Sequence, residues 1–231
     1  LTAETVAALG TDARPPLTAY TVAEKDVAGP FGTIPSDMME RAKLEHLPYE
    51  TPVEALSERF HLSPRALRAL NPGRRFVAGD VLNVPDVDAP KVQDKGLRVA
   101  IEKKKRLLRV VTRDDKTVAA FPISLGGERD IIEVGQYKIA NEVKNPDFAY
   151  DPELIHGAKP HYTKAKIAPG PNNPVGVVWL GLSKPHYGIH GTPEPSRVGH
   201  EETNGCVHLT NWDAQRLAAL VSPGTVVDVR E

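Results

Sequence analysis

The spacing of apolar positions changes at about residue 97. Between residues 47 and 86 they recur at helical intervals: Val53, Leu56 and Phe60 share one face of a first helix. The run "LSPRALRAL" (62–70) starts a second helix, with Ser63 as its cap, Pro64 in the first helical position, and Leu67 and Leu70 as its apolar stripe. "NPG" (71–73) breaks it, and "GDVLNVP" (79–85) predicts a short strand with Val81 and Val84 as its apolar positions. From 97 the pattern is that of strands: 97–102 and 107–112 around a charged turn, then "TVAAFPIS" (117–124), "VGQYKIANEV" (134–143), "VGVVWLGL" (175–182) and "GTVVDVRE" (224–231). One late amphipathic helix, "TNWDAQRLAALV", has Thr210 or Asn211 as cap, with Ala214, Leu217 and Leu220 or Val221 facing inward. Many short strands with one late helix predict a β-sandwich or barrel-like domain over 97–231. With the helical segment before it, the chain is α+β overall.

Three segments lie outside these patterns. Residues 1–16 hold one short helix, capped by Thr2 and stopped by Gly10 and Pro15-Pro16. Residues 17–46 carry Pro30 and Pro35, with a helical patch at "SDMMERAK". Phe31, Ile34, Met38 and Met39 make them a connector packed on its neighbours rather than a disordered linker. Residues 87–96, "VDAPKVQDKG", are a polar linker. The first residue is Leu1, which is expected of a processed or truncated product.

Composition narrows the function classes. The 231 residues are 40% hydrophobic and 26% charged, which is ordinary globular material. The net charge of −1 gives no reason to expect nucleic acid or an anionic membrane as partner, and no stretch approaches the ~18 apolar residues of a membrane-spanning helix. The one basic cluster, Lys103–Arg106, reads as a solvated turn.

A single cysteine, Cys206, excludes an internal disulfide. It stands in "IHGTPEPSRVGHEETNGCVHL" (189–209), and three readings compete for it. Unpaired cysteines are often small buried hydrophobes, but a filler belongs in an apolar run, and Cys206 follows the turn-forming "TNG". A metal site could draw on His186, His190, His200 and His208. "HYGIH", however, reads as a strand, where two histidines four apart are about 13 Å from each other. The third reading is a nucleophile whose proton an imidazole accepts. His190, on the strand ending "YGIHGT", is the candidate base, and the Gly191 carbonyl is the candidate group to orient it. Backbone N–H groups beside Gly205 could hold an oxyanion. A working pair of this kind is expected to depress the Cys206 pKa and to alkylate quickly near neutral pH.

These residues carry family resemblances. "GIHGTPEPSRVGHEETNGCVHLTNWDAQ", with "APGPNNPVGVVWLGLS" (168–183), "FPISLGG" and "VGQYKI", resembles the catalytic domain of L,D-transpeptidases, peptidoglycan cross-linking enzymes, over most of 97–231. The resemblance implies Cys206 as nucleophile, His190 as base and Gly191 as the orienting carbonyl. It implies Asn204 and Gly205 as the oxyanion turn, and Thr203, His208, Tyr187 and Asn173 as substrate contacts. The chain departs from the family pattern in three places: Thr203-Asn204 replaces Ser-His, His208 replaces Arg, and "IEVG" (132–135) replaces Thr-Pro-x-Gly. These leave the donor and acceptor preference open. Residues 47–86, through "ALNPG…GDVLNVP", resemble a LysM module of βααβ order, which binds peptidoglycan or chitin glycan, although "YETP" stands where that module usually opens with Gly-Asp-Thr. Residues 1–16 resemble the last helix of the peptidoglycan-binding repeat.

Together the resemblances imply a cysteine acyltransferase of peptidoglycan biosynthesis and cell wall organisation. It would act without metal or other cofactor, in the periplasm or cell wall of a bacterium. Its partners would be stem peptides and glycan strands, and its inhibitors β-lactams of the carbapenem class. The alternatives are an L,D-carboxypeptidase that hydrolyses the same thioester, and a wall-binding protein whose catalytic domain has decayed.

Overall fold

The computed structural model describes residues 15–87, 96–126, 132–155, 157–200, 202–203 and 205–231. The predicted helix within 1–16 and nearly all of the 87–96 linker lie outside the described residues.

The N-terminal part is built on one antiparallel strand pair, β1 (Leu17–Thr21) with β2 (Val81–Pro85), in the register Leu17↔Pro85 to Thr21↔Val81. Between them run a short helix α1 (Met38–Arg41) and two longer ones, α2 (Pro52–Arg59) and α3 (Pro64–Leu70). The caps explain where α2 and α3 start. The Thr51 and Ser63 side-chain oxygens accept the N–H of Glu54 and Ala66, each at 3.2 Å, and a proline follows each cap. Val53, Leu56, Phe60, Leu67, Phe76, Leu82 and Val84 form the core. Two expectations are corrected. Residues 17–21 are not connector but the first strand of this unit, and no strand occupies 47–50. In β2 it is Leu82 and Val84 that point inward, while Val81 is exposed, because strand sides alternate every residue.

The larger part is a mixed eight-stranded sheet. In chain order its members are β3 (Arg98–Glu102), β4 (Leu107–Val111), β5 (Thr117–Pro122), β7 (Gly135–Lys144), β10 (Val178–Leu182), β11 (Gly188–His190), β13 (Val207–His208) and β14 (Val226–Arg230). In space the order is β13-β11-β10-β7-β14-β3-β4-β5. Two further pairs flank it, β6 (Leu125–Gly126) with β12 (Glu202–Thr203), and β8 (Phe148–Tyr150) with β9 (Ala165–Ile167). The sheet curls until its two ends meet: Ser124, just past β5, exchanges both backbone hydrogen bonds with His208 of β13, each 3.0 Å. The result is a closed, barrel-like sheet and not a two-sheet sandwich. Its interior holds Val99, Ile101, Leu108, Phe121, Ile139, Leu180 and Val227, and α4 (Asn211–Ala218) packs on it through Ala214 and Leu217. Thr210 caps α4, accepting the Asp213 N–H at 3.2 Å, so Asn211 is its first helical residue.

The two parts are docked. Leu47 donates its N–H to the Pro169 carbonyl and accepts the Asn172 N–H (2.9 and 3.2 Å). Asp37, which caps α1, takes the Tyr162 hydroxyl at 2.7 Å and the Lys159 ammonium at 3.0 Å, and these donors hold its carboxyl well below the usual range. His61 stacks on Trp212. At the centre of the contact Glu58 of α2 accepts the Asn211 Nδ2–H at 2.9 Å, with the Tyr49 hydroxyl 3.5 Å from its other oxygen. These hydrogen bonds favour the carboxylate, but burial outweighs them and Glu54 adds to it, so the Glu58 pKa is pushed up to about 7.

The folded chain therefore keeps a proton on Glu58 that the unfolded chain loses near pH 4.5. The stability this proton contributes is complete below pH 4.5 and is lost as pH rises through 7, at a cost on the order of 3 kcal/mol. Urea melts of Glu58→Gln should gain on wild type from pH 4.5 to 7.5. Curves that stay parallel would contradict this account.

Candidate active site

Cys206 and His190 are brought together by one strand pairing. β11 and β13 run parallel with Ile189 opposite Val207 and His190 opposite His208. Extending that register by one residue puts Cys206 opposite Gly188, and the Gly188 N–H reaches the Cys206 sulfur. Side chains two residues apart share a face, so the thiol stands on the same face as the two imidazoles, about 7 Å further along the strands. Gly205, at φ 108°, makes the turn that lets the chain enter β13 there; a side chain would strain that conformation.

The imidazole of His190 is 3% exposed. Its Nδ1 is 2.7 Å from the Gly191 carbonyl oxygen. A carbonyl only accepts, so the neutral ring carries its proton on Nδ1 and leaves the Nε2 lone pair available. The Trp179 indole stacks on the ring with centroids 5.3 Å apart, and the His208 ring lies 4.4 Å away on the other strand. Burial pulls the His190 pKa down to about 4, against the opposing pull of the Gly191 carbonyl. Burial, with His190 beside it, pulls His208 down to about 2. Both rings are neutral at pH 7.

The thiol departs from expectation. Burial pushes the Cys206 pKa up, and the Gly188 N–H offsets only part of that. The Sγ–H points to the His186 carbonyl oxygen at 3.7 Å. The site thus holds a neutral thiol and, two residues along the paired strands, a neutral imidazole, with no preformed thiolate. A thiol in this state could act as a nucleophile only by handing over its proton as it attacks, so that charge would develop only with substrate in place.

Other predicted site residues separate into groups. The Gly191 carbonyl oxygen lies 2.7 Å from His190 Nδ1. Asn204 lies outside the described residues. Tyr187 is half-buried beside His186, with the Lys184 ammonium over its ring at 4.5 Å. Two substrate contacts are corrected. Asn173 is fully buried, and its amide is spent on its own loop, donating to the carbonyls of Pro146, Ile167 and Ala168 and accepting the Val175 N–H. Thr203 is buried and donates its hydroxyl to the Cys206 carbonyl oxygen at 2.6 Å, so it braces the nucleophile turn. Trp179 was not foreseen; the alternation of "VGVVWLGL" fixes its face, but only the register Trp179↔His190 puts it on the base. His200 is exposed, and among the described residues no three of His, Cys, Asp and Glu converge to hold a metal ion.

A half-buried thiol and a buried neutral imidazole whose Nδ1 meets a backbone carbonyl, two residues apart along paired strands, make a candidate cysteine–histidine site on a curled sheet. The family model for the L,D-transpeptidase catalytic domain, YkuD, matches residues 96–229. The chain belongs to this family. It is 31% identical over 185 residues to YkuD of Bacillus licheniformis, to which L,D-transpeptidase activity is ascribed, covering 79% of this chain and 94% of that protein. It is 28% identical over 179 residues to YkuD of Bacillus subtilis, covering 77% and 92%. Among solved structures it is similar to L,D-transpeptidase 3 from Mycobacterium tuberculosis in complex with a faropenem-derived adduct, with 17% identity, a TM-score of 0.48, and 67% of this chain and 75% of that chain covered.

The neutral resting pair sets a pH signature. Alkylation of Cys206 by iodoacetamide should be slow at pH 7 and still climb above about pH 9. A rate that plateaus below pH 7 would show a preformed thiolate and contradict it.

Proposed function

We propose that the chain is a peptidoglycan L,D-transpeptidase working through a Cys206 thioester. The observation that carries the reading is the His190–Gly191 hydrogen bond on the strand beside Cys206, which leaves Nε2 as a proton acceptor on the thiol's face. In the first half-reaction Cys206 gives its proton to His190 Nε2, and sulfur attacks the carbonyl carbon of the L-centre preceding the terminal D-alanine of a tetrapeptide stem. Backbone N–H groups of the Gly205–Cys206 turn face the developing oxyanion. The C–N bond breaks, and the proton on His190 passes to the leaving amine, which departs as D-alanine. In the second half-reaction the amine of a neighbouring stem attacks the thioester, His190 takes its proton, and that proton returns to sulfur as the new amide leaves. Water in place of the amine makes the chain an L,D-carboxypeptidase.

A thiol activated in this way also opens the strained amide of a β-lactam, and carbapenems are the inhibitors that family membership implies. The N-terminal unit, with α2 and α3 among the helices between its paired strands, supports the LysM-like reading with its first strand at Leu17–Thr21. A glycan-binding role there would hold the catalytic part beside its substrate and raise the local concentration. A peptidoglycan substrate and a glycan-binding module would both favour a location outside the cytoplasm, in the periplasm or cell wall.

Mass spectrometry of products from a purified disaccharide-tetrapeptide tests the reading, with Cys206→Ala as control. A cross-linked dimer with free D-alanine is expected, and Cys206→Ala should abolish both. His190→Ala should lower kcat/KM by roughly 10²–10⁴-fold, the usual contribution of a general base. Disaccharide-tripeptide alone would make the chain a carboxypeptidase. Unchanged substrate, together with a thiol inert at every pH, would leave a wall-binding protein.

A further inference from the structure

Asn211 is a polar side chain in an unusual place. It opens α4, yet Thr210 already supplies the cap, and the amide is 1% exposed and turned into the protein. Its Nδ2 donates to Glu58 Oε1 at 2.9 Å and to the Pro171 carbonyl at 3.1 Å. Its Oδ1 accepts the Val177 N–H at 3.2 Å. The Pro171 carbonyl can only accept and the Val177 N–H can only donate, so the two allow the amide a single sense, which the Glu58 oxygen reinforces from the Pro171 side.

That sense presses Oδ1 against two glycines. A Cβ on Gly176 would fall 2.1 Å from Oδ1, and one on Gly191 would fall 2.2 Å from it. Neither position has room for a side chain while the amide keeps this sense, so Oδ1 backs the Gly191 peptide, whose N–H is also tied to the Val178 carbonyl at 3.2 Å. Gly191 is the residue whose carbonyl takes the His190 Nδ1 proton. One of the amide's two acceptors, Glu58, comes from α2 in the other structural unit. If the amide turned over, its NH2 would meet the Val177 N–H donor and crowd Gly191. The carbonyl would shift, and the imidazole could move its proton to Nε2, where it can no longer accept from the thiol.

We propose that Asn211 and Glu58 are positioning residues for the His190 base: Glu58 helps hold the Asn211 amide in its sense, and Asn211 backs the Gly191 carbonyl that holds His190 in its working tautomer. The inference rests on the reading of Cys206 and His190 as nucleophile and base. It gives the N-terminal unit a part in the chemistry that is separate from any hold on glycan. Because Pro171 also accepts from Asn211, loss of Glu58 should do less harm than loss of Asn211.

The test is long-range ¹⁵N–¹H NMR of the His190 ring in the full chain, with turnover of a soluble tetrapeptide that lacks glycan. Wild type should show the Nδ1–H tautomer alone. Glu58→Ala and Asn211→Ala should show a population of the Nε2–H form. Their kcat should fall roughly tenfold and a hundredfold, within what a general base supplies, with KM within about twofold. Glu58→Gln, whose amide oxygen still accepts, should restore the single tautomer. Folded Glu58→Ala and Asn211→Ala chains with the wild-type tautomer would overturn the proposal. Should neither fold, Glu58→Asp, which shortens the reach by one methylene, is read against the same criterion. The tautomer readout needs no turnover, so a wild-type chain inert toward stem peptide would defeat the proposed reaction while a tautomer response still upheld the positioning role.

Discussion

The parallel pairing of β11 with β13 is the constraint on which the site depends. Its register sets His190 beside His208 and brings Cys206 to Gly188. A slip of one residue would turn every side chain of β13 to the opposite face and separate the Cys206 thiol from the His190 ring. The register is held from both sides. On one, β10 pairs with β11 and puts Trp179 across from His190. On the other, Ser124 closes the sheet on His208. The curled sheet can thus be understood as the device that aligns two short strands which, at three and two residues, could not hold a register alone.

The pairing places the chemistry in a poorly solvated spot, and desolvation then decides the charge states. It lowers both imidazoles, raises the thiol and overrides the hydrogen bonds that would otherwise favour ions. A buried ion pair would be costly to keep in the resting state. A neutral pair avoids that cost and creates charge only when a substrate carbonyl and the oxyanion donors are there to share it. The Gly191 carbonyl matters in this setting because it selects a tautomer without adding a charge.

The candidate site could be named from the sequence because its residue types stand where bland roles do not fit them. A cysteine after "TNG" is not core filler, and a histidine between Ile189 and Gly191 on a strand has no surface role. The helix starts at Ser63 and Thr210 were legible for the same reason: capping is local chemistry. What is not local was misread. β1 pairs with β2 over the long stretch of sequence between Thr21 and Val81, so "LTAYT" by itself looked like connector. Asn173 and Thr203 looked like substrate contacts because they are polar and near the motif, yet each spends its hydrogen bonds on backbone within a few residues or on a neighbouring loop. The depressed thiol pKa expected of a Cys–His pair failed for a related reason, since burial belongs to the fold and not to the motif.

The central claim is that Cys206 becomes acylated. Intact-mass spectrometry of the chain, acid-quenched milliseconds to seconds after mixing with disaccharide-tetrapeptide, reads this directly. The account predicts a transient mass increase equal to the donor minus D-alanine, mapped by peptide sequencing to Cys206 and absent in Cys206→Ala. Product formation from a chain that never carries that adduct, or an adduct on any other residue, would contradict it.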